Sequence, residues 1–139
     1  MTDRDAALLA MRPEVDLGPD APGPETLEPA ARLLHATLRP ALKLQNDVLL
    51  ALVARAVGAR TAAFPGFAPP DRRAHLNHLV RRDVKLQRLL TGVVLGVLTE
   101  GELAAFLDSE AEMRRRTVAL LAERVGSQSD RVAALVAAA

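Results

Sequence analysis

One stripe of residues constrains this chain more than any other: Leu76, Leu79, Asp83, Leu86, Leu90, Val93 and Val97 alternate at spacings of three and four. That rhythm places every member on one side of an α-helix, as the seam of a packed bundle requires. Six members are aliphatic and the seventh is an aspartate. A carboxylate inside a seam must find a partner, take up a proton or carry chemistry, because an ionised and unpaired one is costly to bury. A second stripe, Leu103, Phe106, Glu110, Met113, Thr117 and Leu120, keeps the same rhythm and again holds one acid.

The stripes predict a helix over 71–98, begun by Asp71 behind two prolines, and another over 100–125, begun by the capping-box pattern of Thr99 and Glu102 and ended at Gly126. Earlier in the chain, a helix from Thr26 or Glu28 to Leu38 has Pro29 in its first turn, where no amide donor is needed. Pro40 interrupts it. The next helix, over 40–60, has Leu42, Leu49, Leu50, Val53 and Val57 as its apolar face, and the rings of Phe64 and Phe67 cap one end of the core. Short helices are expected over 6–11, frayed, and over 130–136.

The expected fold is therefore an all-α helical bundle of four or more helices over 30–126. An acidic, Pro/Gly-rich arm over 1–29 precedes it, and a short helix or flexible tail over 127–139 follows. Gly92 and Gly96 form a small-residue pair on the far side of the 71–98 helix, a place for close helix packing. The C-terminal half of that helix is apolar all round, which asks for burial on two sides by further helices or by a second copy of the chain.

Composition narrows the function classes. Ala, Leu and Val dominate, with three Phe and neither Trp nor Tyr, a set that suits helices and lacks the exposed rings on which single-stranded bases stack. The absence of cysteine excludes disulfides, thiolate catalysis and cysteine-based zinc sites. The N-terminus is acidic where a secretory signal would be basic. The longest uncharged apolar stretch, 89–98, falls short of the ~20 residues of a membrane span. These features set the expectation of a soluble, cytoplasmic protein, and the Ala/Arg/Leu bias suggests a bacterial one. Residues 1–30 carry a net −5 and residues 31–139 a net +6.

Three constellations could act. Asp83 and Arg114 each lie roughly 23 Å from the turn between their helices at ~1.5 Å per residue, which predicts a buried Asp83–Arg114 pair that fixes register. Alternatively Asp83 and Glu110 line a ligand pocket, although their levels differ by about 7 Å. His75 and His78 share a helix end without a metal-binding motif. Opposite the seam, Arg72, Arg73, His78, Arg81, Lys85 and Arg88 make a basic face suited to nucleic acid or an acidic partner.

Within that face, Arg73-Ala-His-Leu-Asn-His78 resembles the Rx4–6H motif of HEPN ribonucleases. The resemblance covers six residues and departs from the family at Ala74, where a polar residue is usual. It implies a small all-α domain whose composite RNA-cleaving site, built on Arg73 and His78, forms between two copies. The residues themselves give a different first expectation: a non-catalytic helical interaction module, a homodimer or the binder of a protein partner, with no catalytic set, metal, cofactor or membrane contact. Nucleic-acid binding through the basic face, and a metal- or ligand-binding bundle using Asp83 and Glu110, are the alternatives.

Overall fold

Every regular element among the described residues is helical, as an Ala/Leu-rich chain with few rings favours. The computed structural model describes residues 1–15 and 28–139, so most of the expected Pro/Gly-rich arm lies outside the described residues. The chain divides into two units: Met1–Gln45 with Val93–Thr117, and Asn46–Gly92 with Val118–Ala139.

In the first unit, α1 (Asp3–Met11) opens on Thr2, whose hydroxyl accepts the Asp5 N–H at 3.0 Å. It starts three residues earlier than the sequence predicts. It is docked rather than frayed, because its charged side chains hold the turn between α6 (Val84–Leu95) and α7 (Glu100–Asp108). Arg4 donates to the carbonyls of Gly96 and Leu98, each at 3.0 Å. The buried Asp5 accepts the Glu100 N–H at 3.1 Å. A cation thus follows the end of one helix and an anion meets the start of the next, each where the peptide dipoles favour it.

The capping box of Thr99 and Glu102 forms in full. Glu102 also takes two hydrogen bonds from Arg12, one at 2.7 Å, and one from the Thr37 hydroxyl at 3.0 Å. Burial raises the pKa of Glu102, but Arg12, the Thr99 N–H and Thr37 outweigh it and hold the carboxyl at about 2.

The chain passes Pro40 without breaking: α2 (Pro29–Leu33) continues through a π-helical turn, Leu34–Leu38, into α3 (Arg39–Leu44). Pro40 has no N–H for the carbonyl four residues back, and in the wider turn the Arg39 N–H reaches Leu34 O instead. α2 packs on α7. Leu8, Leu38, Leu42, Val94, Leu98, Phe106 and Met113 are this unit's large buried apolar side chains.

In the second unit, the helix expected over 40–60 resumes after Gln45 as α4 (Asn46–Arg60). α9 (Ser129–Ala138) packs against α4, α5 (Pro69–Arg82) and the 3₁₀ turn Phe64–Gly66. Phe64 is fully buried, with Phe67 and His75 at ring-centroid distances of 5.8 and 5.6 Å. A reciprocal amide pair ties the start of α4 to the joint before α9: Asn46 donates to Gln128 Oε1 at 2.9 Å, and Gln128 donates back to Asn46 Oδ1 at 2.7 Å.

The two seams keep most of their apolar members buried, with Val93, Val97 and Leu103 only partly so, and lose their acids. Leu76, Leu79, Leu86 and Leu90 are buried, but the helix expected over 71–98 breaks at Asp83 into α5 and α6. Asp83 adopts an extended backbone (φ −83°, ψ 99°), and its Oδ1 accepts the Leu86 N–H at 3.0 Å. It is the cap of α6, the position where a short carboxylate competes best for a backbone amide. The helix expected over 100–125 breaks likewise at Ser109, between α7 and α8 (Glu110–Ser127). Glu110 becomes the first residue of α8 and is half-exposed. Gly126 is buried inside α8 rather than ending it.

Glu102 sets a pH dependence. A carboxyl held at about 2 rather than its ordinary 4.5 contributes at most about 3 kcal/mol at neutral pH, reduced by solvent screening of a partly exposed group. Because folding lowers this pKa, the contribution is complete above 4.5 and is lost as pH falls toward 2. Urea denaturation at stepped pH should follow that loss. Glu102→Gln should lower stability at neutral pH and flatten the acid decline.

Candidate functional site

The expected Asp83–Arg114 pair is replaced by two others. Asp83 Oδ2 pairs with Arg60 at 2.8 Å, and Arg114 pairs with Glu110 at 2.9 Å on an exposed stretch of α8. The cause is the break at Asp83, which turns the carboxylate from the seam to the helix joint. Its pKa is lowered chiefly by the Leu86 N–H, against the opposing effect of burial and with help from Arg60, so the group is ionised and fully engaged. Asp83 and Glu110, the proposed ligand-pocket acids, are each committed to an arginine. Among the described residues, no group of three or more His, Asp or Glu side chains is gathered to hold a metal.

Gly92 and Gly96 do not make a close helix contact within the chain. A Cβ on Gly92 would meet nothing within 4 Å, and Gly96 lies beyond the end of α6 with its carbonyl taken by Arg4. His75 belongs to the ring cluster with Phe64 and Phe67, whereas His78 is exposed on α5.

The basic face separates into structural and open members. Arg72 is structural: its side chain is 15% exposed, Nη2 pairs with Asp130 at 2.7 Å and Nη1 donates to Pro65 O. Arg73, His78, Arg81, Lys85 and Arg88 stand in solvent, joined by Arg82. Among the described residues, none of these six forms an ion pair, and Arg81 donates only to Asn77. On α6, Val84 and Leu89 are half-exposed beside Lys85 and Arg88, so the basic strip is edged with apolar surface.

A second surface was not singled out by the sequence. An open groove of about 490 Å³ runs along α4 and α9, floored by Ala51, Gly58, Ala59 and Ala62 of α4 and the adjoining loop and walled by Leu135 and Val136 of α9. Ala54, Gly58 and Ala62 recur every four residues, and the position of a Cβ on Gly58 lies 3.7 Å from Val136. Small side chains therefore set how closely α9 approaches, and Arg55 is the charged side chain among the groove's lining residues. The signal in the sequence was α4 itself, whose apolar residues are not confined to one face.

A third cluster joins His35 to Arg39, whose Nε donates to His35 Nδ1 at 3.1 Å. No helix in the described residues is long and apolar enough to cross a membrane. No family model, characterised protein or solved structure matches the chain.

The exchanged partners can be separated by stability. Asp83→Ala removes a cap and a buried-side ion-pair partner and should cost about 1–2 kcal/mol in urea denaturation. Arg114→Ala should change stability by about 0.5 kcal/mol or less, as an exposed helical pair does.

Proposed function

We propose that this chain is a non-catalytic helical interaction module that pairs with a second copy of itself through the open face of α4. The groove along α4 and α9 carries this reading. Ala51, Ala59 and Leu135 are exposed around it, and Val48 is half-exposed nearby on α4. Leu49, Leu50, Val53 and Val57 fill the buried side of α4, and the stripe left open runs through Asp47, Val48, Ala51, Arg55 and Ala59.

The face complements itself, which argues for a second copy as the occupant. Asp47, Ala51 and Arg55 follow one another at intervals of four residues, all exposed. A twofold axis at Ala51 would set two α4 helices antiparallel and bring each Asp47 opposite the other copy's Arg55, with alanine letting the backbones approach. Asp47 pairs with Arg131 at 3.0 Å in the single chain, but both groups are well exposed. Such a pair contributes little and can be exchanged. A bacterial source goes with this reading through the Ala/Arg/Leu-rich composition.

Sedimentation velocity up to about 1 mM, the range of a binding free energy near −4 kcal/mol, should reveal a monomer–dimer equilibrium. Ala51→Arg should weaken it. Asp47→Arg and Arg55→Asp should each weaken it too, and both together in one chain should restore it. A monomer at every concentration, or a double variant no better than the single ones, overturns the reading.

A second reading has its own observation, the unpaired basic strip on α5 and α6. Cations without carboxylate partners favour a polyanion such as duplex nucleic acid. Arg73 and His78 stand on the same exposed strip of α5, at the spacing of the ribonuclease motif that the segment resembles. Retention of double-stranded RNA should fall steeply with salt, and Arg81→Glu with Lys85→Glu should abolish it. Binding that survives that double change removes this reading.

A further inference from the structure

The basic strip of α5 and α6 has an apolar part that nucleic acid leaves unused. Val84 and Leu89 are 54% and 49% exposed, the two most open large apolar side chains described in the second unit. They share one side of a helix with cations: Val84, Lys85, Arg88, Leu89 and Gly92 are exposed at spacings of one, three, one and three. Leu86 and Leu90 are buried on the other side. Gly92 adds no side chain to hold the exposed side away from a flat surface, and beyond Arg88 the helix carries no charge.

The positive charge is concentrated at the joint between the helices. Arg81, Arg82, Lys85 and Arg88 all stand in solvent within residues 81–88. The break at Asp83 keeps them together, because Gln87 Nε2 donates back to Arg81 O at 2.7 Å and fastens the first turn of α6 to the end of α5. Asp83, the acid in this stretch, is taken by Arg60 and the Leu86 N–H, and its side chain is only 10% exposed. Asp71, at the start of α5, lies roughly 15 Å from Arg81 along the helix axis. The strip therefore meets solvent as positive charge with little of its own to offset it.

Charge and apolar exposure together discriminate among polyanions. A nucleic-acid backbone offers phosphates to the cations but no apolar layer in which valine and leucine gain by burial. The surface of an anionic bilayer offers both, lipid phosphates for the charged groups and the acyl boundary for the aliphatic ones. Long Lys and Arg stems suit that depth, because the charged heads reach the headgroups while the backbone lies lower. The expectation of no membrane contact follows from the lack of a spanning segment and does not extend to the surface of a bilayer.

We propose that the α5–α6 joint and the outward side of α6 dock on the surface of a bilayer that contains anionic phospholipid. Lys85 and Arg88 meet lipid phosphates, with Arg81 and Arg82 beside them. Val84 and Leu89 enter the boundary between headgroups and acyl chains. Neither contribution suffices by itself: exposed cations are screened by salt, and two half-exposed aliphatic side chains bury little area. Together they give a reversible, peripheral attachment that weakens as salt rises.

Co-sedimentation of the full chain with vesicles tests this. Vesicles of phosphatidylglycerol and phosphatidylcholine in equal parts should retain the chain at low salt and release it as salt rises, whereas phosphatidylcholine alone should not retain it. Val84→Ser with Leu89→Ser keeps every charge and should weaken retention about tenfold, the loss expected from burying two partly exposed aliphatic side chains less well. Both positions are exposed, so the helical circular dichroism should be unchanged. Arg81→Glu with Lys85→Glu should abolish retention.

Duplex RNA separates the two occupants, because the serine variant should bind it no differently from the natural chain. Anionic vesicles that fail to retain the chain overturn the proposal, whatever duplex RNA does. Equal retention by phosphatidylcholine alone overturns it as well. So does a serine variant that binds anionic vesicles as well as the natural chain, for the strip is then a surface for any polyanion.

Discussion

A chain folded as a series of short helices must satisfy the backbone groups left open at every helix end, and that constraint orders most of the polar side chains here. Each terminus exposes amides or carbonyls with no partner of their own. Asp83 takes the Leu86 N–H, Thr99 takes that of Glu102, and Asp5 reaches from α1 to that of Glu100. Arg4 takes the carbonyls that follow α6, and Gln45 donates to Val93 O at 3.0 Å. Polar residues that would be unwelcome in a helix interior are thus placed at the joints. The seams between joints can then stay apolar.

This division of labour gives the acids structural partners. Asp83, Glu102 and Glu110 each have an arginine partner, and the first two also take backbone amides. What is left exposed among the described residues is of a different kind: small residues along the open side of α4 and cations along α5 and α6. These are surfaces and donors suited to recognition. The case for an interaction module rests on that remainder.

The periodicities of the sequence carried the fold class and the buried faces, and they failed where one residue interrupts a helix. The spacing of Leu76, Leu79, Leu86 and Leu90 survives the break at Asp83, so a pattern count across it reads as one continuous helix. The competing signal was a local one, a carboxylate three residues before an apolar amide, as an N-cap requires. Ser109 with Glu112 spells the same kind of start for α8. Thr99 with Glu102 was read correctly because Gly101 stood between them with no apolar stripe to hide the boundary. Arg60 as the partner of Asp83 could not be read this way. Its proximity depends on tertiary folding across 23 residues of chain, which no local spacing encodes.

The clamp of α1 has a consequence for how the chain reaches its native state. Arg4, Asp5 and Arg12 hold partners 90 to 95 residues further along, so α1 is synthesised long before its dock exists. Closing a loop of that length is slow compared with forming local helices. The two units also interleave along the chain, each needing a segment from both sides of the other's. Neither can be completed while its later segment is still in the ribosome. Until α9 has been made, the face of α4 that it covers travels as exposed apolar surface that the cell's folding machinery has to tolerate.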